Sequence, residues 1–287
     1  MRYTYTGHKS SIFLITRFNL VLYPTDKNQN LTSTEEWLND RFRLFDAYCF
    51  PSVVKQSDSD FIWLCLFAQN TPPRFICKIK EYGNKMPNFV AVFLSKDETP
   101  NYTDCVKQII ADLKDESSYL ITTRVDNDDA LHRDFIRSTR TLLKKQFENT
   151  CIYSFANGIQ YIETDNIAGK MRYIRNHFPI MITKNFHAGQ PINHIAEINH
   201  SYIDNSGYAF CAINGKAMWV EVVHHRNVAN GVRLFLPVWN KGYMNKEFGL
   251  HVKLYISHTL VKYLLLSPIF FRIIFRGIKR RFCVLLK

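Results

Sequence analysis

Between residues 117 and 136 the chain reads SSYLITTRVDNDDALHRDFI, which places Asp126, Asp128 and Asp129 within four residues, around Asn127. Like charges this close repel, so a fold that gathers them into one turn calls for a cation to neutralise them. Oxygen ligands of this hardness suit Mg²⁺ or Mn²⁺ bound jointly with substrate phosphates. The apolar run at 119–123, rich in β-branched and aromatic residues, predicts a short buried strand just before them. Open α/β sheets bind ligands at the carboxyl ends of their strands, which is where these carboxylates would stand. A plainer role competes. Asp and Asn also favour turns and helix N-caps, so Asp129 could cap the next helix while Asp126 and Asp128 do the chemistry.

The elements that must position this turn follow from periodicity. Apolar runs at 11–16, 61–67 and 89–94 predict three further strands in the first half. Helices are expected from Thr34, a plausible N-cap, up to a stop at Pro51, and then over 73–82, 102–114 and 131–147. Four strand–helix units predict an α/β fold: a Rossmann-type, mostly parallel sheet with helices on both faces. Neither GxGxxG nor GxxxxGK[ST] occurs, so the glycines that cradle phosphates in dinucleotide and P-loop sites are missing. In the second half, residues 151–155 and 159–163 read as a hairpin about a tight turn at Asn157-Gly158. Residues 216–225 read as a late strand ending in His224 and His225. The stretch 171–208, rich in His, Asn and Gly, reads as loops lining a site.

The bulk composition narrows the class. The 287 residues are 46% hydrophobic and 14% aromatic, which fits a globular protein and argues against disorder. The seven cysteines are scattered singly with no CxxC, as expected of thiols in a reducing compartment, and the cytoplasm is the expected location. The net charge of +12 is uneven: residues 248–287 hold eight Lys or Arg and no acid. Basic and apolar together, with Pro268 interrupting, residues 251–287 predict an amphipathic helical tail lying on an anionic membrane surface rather than spanning it. Nucleic acid is not an expected partner, because the excess charge sits in an apolar segment.

Four blocks carry a resemblance: TRFN at 16–19, PSVVKQSDSDFIWL at 51–64, TTRVDNDDAL at 122–131 and WVEVVHHRNVAN at 219–230. In this order they are similar to blocks of the rhamnosyltransferase family of bacterial polysaccharide-type enzymes, within the GT-A-like glycosyltransferases. The RxDxDDA block is the most specific of them. The resemblance implies one GT-A-like domain over 1–250, with a nucleotide-sugar half (1–150) and an acceptor half (151–250), followed by the tail. It further implies an inverting, metal-dependent hexosyltransferase that moves a sugar, rhamnose by the family's label, from a nucleotide-sugar to a glycan or lipid-linked acceptor in surface polysaccharide synthesis. The enzyme would sit peripherally at the inner membrane face.

Residue by residue, the resemblance makes Asp128 a direct ligand of Mn²⁺ or Mg²⁺ in a DxD motif, with Asp126 on the metal or the ribose and His224 completing the metal site. Thr16, Arg17 and Asn19 would approach the nucleotide, and Arg124 the diphosphate. Glu197 would be the base that deprotonates the acceptor, with Glu221 and Asp204 as alternatives. Many relatives place an Asp in the loop after the second strand; here the loop is Ala68-Gln69-Asn70, which leaves base recognition unassigned. The competing reading of the carboxylate turn is a metal-dependent phosphoesterase, which would need further acidic or His ligands from several strand ends.

Overall fold

A computed structural model of the protein describes residues 10–254, apart from 23–24, 26–28, 30, 33, 114–118, 146–148, 185–190, 228–235 and 239. The predicted tail therefore lies outside the described residues. Among the described residues no helix is long and apolar enough to cross a membrane.

The first half follows the predicted alternation. Strand β1 (Ser10–Arg17) leads to α1 (Glu35–Leu44), a π-helical turn (Phe45–Cys49) and α2 (Phe50–Val54). Then come β2 (Ile62–Ala68), α3 (Pro73–Lys85), β3 (Phe89–Leu94), α4 (Tyr102–Leu113) and β4 (Tyr119–Arg124). Alternate residues of β1 explain the layering. Ile12 and Leu14 pack with Trp37, Phe42 and Phe75 from α1 and α3, whereas Phe13 and Ile15 pack with Val106 and Ile110 of α4. A strand buried on both faces is what a parallel sheet between helical layers requires. Thr34 caps α1 as expected, accepting the Trp37 N–H at 3.1 Å. Pro51 does not end the helical run: the wider π turn precedes it, and Pro51 opens α2, where a missing N–H costs little.

The remaining elements are β5 (Ala130–Leu131), α5 (Phe135–Thr141), β6 (Thr150–Phe155), β7 (Asn157–Ile162), β8 (Ile167–Arg172), β9 (Ile180–Lys184), β10 (Ala209–Ile213), β11 (Trp219–Val223), β12 (Leu236–Pro237) and α6 (Lys241–Phe248). The larger sheet has the order β10-β6-β9-β4-β1-β2-β3. Its β4, β1, β2 and β3 run parallel, while β9 enters antiparallel between β4 and β6. The smaller sheet, β12-β8-β7-β11-β5, covers the carboxylate turn.

Two expectations fail here for the same reason, long-range pairing. The predicted hairpin at Asn157-Gly158 does not form: β6 stays in the large sheet and β7 crosses to the small one, parallel to β11. Gly158 is there for contact rather than for a turn, since a Cβ on it would lie 2.2 Å from the Trp219 ring. The helix expected from 131 starts only at Phe135, because Ala130 and Leu131 pair with Val220 and Trp219.

Candidate active site

The turn after β4 is where the two sheets meet, and its three aspartates occupy three different environments. Asp126 is the open one: its side chain is 36% exposed, and Arg17, at the end of β1, stands 3.6 Å away.

Asp128 is buried. Its Oδ2 accepts from Arg41 Nη1 at 2.7 Å and from His224 Nε2 at 2.9 Å, with Asn227 Nδ2 at 3.5 Å. Burial by itself would raise its pKa, but the Arg41 charge and the His224 hydrogen bond outweigh that and hold the carboxyl below its ordinary value. Arg41 also bonds Asn127 Oδ1 and the Arg226 carbonyl, and its guanidinium stacks 4.8 Å from the Trp37 ring.

Asp129 is buried too, and receives the Val222 N–H of β11 at 2.8 Å. Burial, then the charges of Asp128 and Asp126, push its pKa well above normal. Its partner is a strand rather than the next helix, so it does not act as a cap.

The tautomer of His224 follows from its partners. A carboxylate only accepts, so Nε2 carries the proton toward Asp128, while Nδ1 accepts the Arg226 N–H at 3.2 Å. A metal-bound histidine normally donates from its second nitrogen; here that nitrogen accepts. Here His224 stands as a hydrogen-bond donor that orients Asp128. Among the described residues no three His, Cys, Asp or Glu side chains stand close enough together to hold a metal. Asp126, Asp128 and His224 do not form such a group, and among the described residues the several acidic ligands that a two-metal phosphoesterase needs do not stand together. Two carboxylates on one turn still fit a hard divalent ion completed by substrate phosphates, because such ions often take only one or two protein ligands.

Several of the expected site residues also make hydrogen bonds that tie the fold together. Thr16 is buried and accepts the Trp63 indole N–H at 2.9 Å. Asn19 ties the ends of β1 and β2 together, donating to Thr71 Oγ1 at 3.0 Å and accepting from the Ala68 N–H at 3.1 Å. Arg124 buckles the acceptor half to β4, donating to the carbonyls of His177 (3.2 Å) and Ile198 (3.1 Å) and to His200 Nδ1 (3.3 Å). Glu197 ends a short 3₁₀ turn (Ile195–Glu197), where it caps the His194 N–H at 3.0 Å and pairs with Lys107 of α4 at 2.6 Å. In this structure that carboxylate fastens a loop to a helix. Asp204 is paired with Arg175.

Beside the turn, the carboxyl ends of β1 and β2 and the start of α1 enclose a cavity of about 310 Å³. It is lined by Asn19, Thr34, Trp37, Asn70 and Thr71 among others. Trp37 lines this cavity, while its indole N–H is buried with no partner among the described residues.

Sequence reading missed Arg41. The signal was present: Arg41 lies four residues after Trp37 on a stripe of apolar positions, where a charge is out of place unless it is paired.

Among solved structures, S. aureus TarS residues 1–349 matches at 10% identity, with a TM-score of 0.36, over 75% of this chain and 60% of that one. A longer S. aureus TarS structure matches at 12% and 0.34, over 75% of this chain and 37% of that one. A Desulfovibrio desulfuricans G20 protein described as a "putative nucleotide-diphospho-sugar transferase" matches at 8% and 0.31, over 71% and 79%. This chain thus spans little more than half the length of the first of these. No curated protein matches the chain. The model of the family described as "Putative rhamnosyl transferase" matches residues 4–234, most of the chain, and the protein belongs to that family of glycosyltransferases.

Proposed function

We propose that the protein transfers a sugar from a nucleoside-diphosphate donor to a hydroxyl acceptor with inversion at the anomeric carbon. The observation that carries this reading is the join between two features. The cavity at the ends of β1 and β2, lined by Trp37, is linked to the aspartate turn through Arg41, which stacks on Trp37 and bonds Asn127 and Asp128. A nucleoside would occupy the cavity, packed against Trp37. The diphosphate would then lie over Asp126, the exposed carboxylate, beside Arg17. The loop after β2, where the resemblance leads one to expect an acid, is Ala68-Gln69-Asn70, so base contacts here would fall to neutral groups.

A divalent ion held by Asp126 and Asp128 together with the diphosphate would supply a Lewis acid for the departing charge. This chain's own contribution is electrostatic. Arg41 and His224 keep Asp128 ionised, and Arg17 offers a cation beside the leaving group. The donor sugar is rhamnose by the family's label, and the acceptor a glycan or lipid-linked glycan. The basic, apolar residues 254–287 support delivery of that acceptor at an anionic membrane surface, which sedimentation with anionic against neutral vesicles would test.

The direct test of the whole reading is calorimetric titration of UDP and dTDP with and without Mn²⁺. Binding in the micromolar range that Trp37→Phe weakens is expected. Absence of binding by either nucleotide, with or without metal, would sink it.

A further inference from the structure

We propose that His177, held by Glu221, is the base that takes the proton from the acceptor hydroxyl; this rests on the glycosyl-transfer reading above. Strand β9 runs antiparallel to β4, so the loop before it, which carries His177, is delivered to the carboxyl end of β4 where the aspartate turn begins. That loop is pinned more heavily than any packing need requires. The buried Asn176 amide donates to Ser154 Oγ, the Phe155 carbonyl and the Tyr173 carbonyl, and accepts the Phe178 N–H. Arg124 Nε holds the His177 carbonyl, and Thr123 Oγ1 holds that of Pro179. Within this fixed frame the His177 side chain remains 20% exposed. Behind it lies Glu221 of β11, 5% exposed, with Oε1 3.6 Å from His177 Nε2 and Oε2 accepting from Gln160 at 2.9 Å.

An imidazole at the cleft with a carboxylate buried behind it is the arrangement of a base and the group that orients it. In ligand-free sites such contacts are often long and tighten when substrate binds. The charged and titratable groups around His177 are few. Glu221 faces it from β11, and the His200 ring packs against it at 4.2 Å, backed by Arg124. Asp126 and Arg17 lie beyond His200. Burial, then His177 and Arg124, lower the His200 pKa to about 3, so His200 stays neutral and does not compete for the proton.

The step balances. The second ring nitrogen of His177 takes the acceptor proton, and the oxygen's electron pair forms the bond to the anomeric carbon. The bond from that carbon to the diphosphate oxygen breaks, its electrons leave with the diphosphate, and Glu221 stabilises the imidazolium that results.

The test follows release of nucleoside diphosphate from UDP-sugars and dTDP-sugars, with water as the acceptor. His177→Ala is expected to lower kcat by about 10²-fold or more, with UDP and dTDP affinity unchanged by calorimetry, and added imidazole should restore part of the rate. The acidic limb of the wild-type pH–rate profile should vanish in His177→Ala, and Glu221→Gln should lower kcat with UDP and dTDP affinity unchanged. His177→Gln keeps the frame should His177→Ala fail to fold, and should be equally slow. Wild-type kcat in either His177 variant, or a slow variant with its acidic limb intact and no rescue, would overturn the base assignment alone. Failure of the wild-type protein to bind or release any nucleoside diphosphate would overturn the glycosyl-transfer reading, and this proposal with it.

Discussion

The two flanks of one turn make the most instructive contrast in this molecule. On the Asp128 side Arg41, His224 and Asn227 converge on a single carboxylate oxygen, deep between α1 and β11. On the Asp126 side the carboxylate is about a third exposed, 3.6 Å from Arg17. Two residues apart in sequence, these aspartates differ because one points into the seam between the sheets and the other out of it. The closed flank fixes where the turn sits. The open flank is free to meet a substrate.

The contrast can be broken most forcefully at Asp128. Replacing it with Ala leaves Arg41 as a buried charge without its carboxylate, so a loss of about 3–5 kcal/mol of stability is expected alongside loss of transfer. Chemical denaturation and donor turnover would measure both; an unaltered midpoint would show the closed flank to be dispensable. Asp126→Ala should separate the two properties. Turnover should fall about 10²-fold or more, while stability stays within about 0.5 kcal/mol, as for an exposed site. If this variant instead unfolds early, the open flank is structural and the contrast is wrong.

Asp129 sharpens the picture further. It accepts the buried Val222 N–H, which an amide oxygen can also do, so Asp129→Asn should cost under about 1 kcal/mol, whereas Asp129→Ala strands that N–H and should cost about 1–3 kcal/mol. Equal losses in the two variants would show that this hydrogen bond does not hold the turn. The smallest effect concerns acid. With its folded pKa near 3 against an ordinary 6.5, His200 binds its proton more readily in the unfolded chain. Between those values its contribution makes stability fall as pH falls. His200→Asn should therefore flatten the stability–pH slope from about pH 6.5 to 3, read by thermal melts; an unchanged slope would place the acid sensitivity elsewhere.

How far the sequence could be read depended on whether the signal was local. Strands β1 to β4 and helices α1, α3 and α4 were legible because burial on both sheet faces writes continuous apolar runs and the helices write 3.6-residue stripes. The crossing of β7 to the second sheet was not legible. Asn157-Gly158 carries a turn signal, yet Trp219, some sixty residues on, claims the space over that glycine. Arg41 was legible in principle, as a charge on an apolar stripe. His177 was not, because nothing in NHFP distinguishes it until Asn176 and Arg124 pin its loop.

The sequence by itself determined the α/β class, the carboxylate turn after the fourth strand and the family, since these rest on periodicity and on contiguous motifs. Only the tertiary structure decided what each motif residue does. It showed which partners Thr16, Asn19, Arg124, Glu197 and His224 hold, and gave three neighbouring aspartates three different environments. The reason is physical: a side chain's role is set by which partners its lone pairs and protons meet in a low-dielectric interior. Those partners, Arg41 at 87 and His224 at 96 residues from Asp128, arrive only through folding.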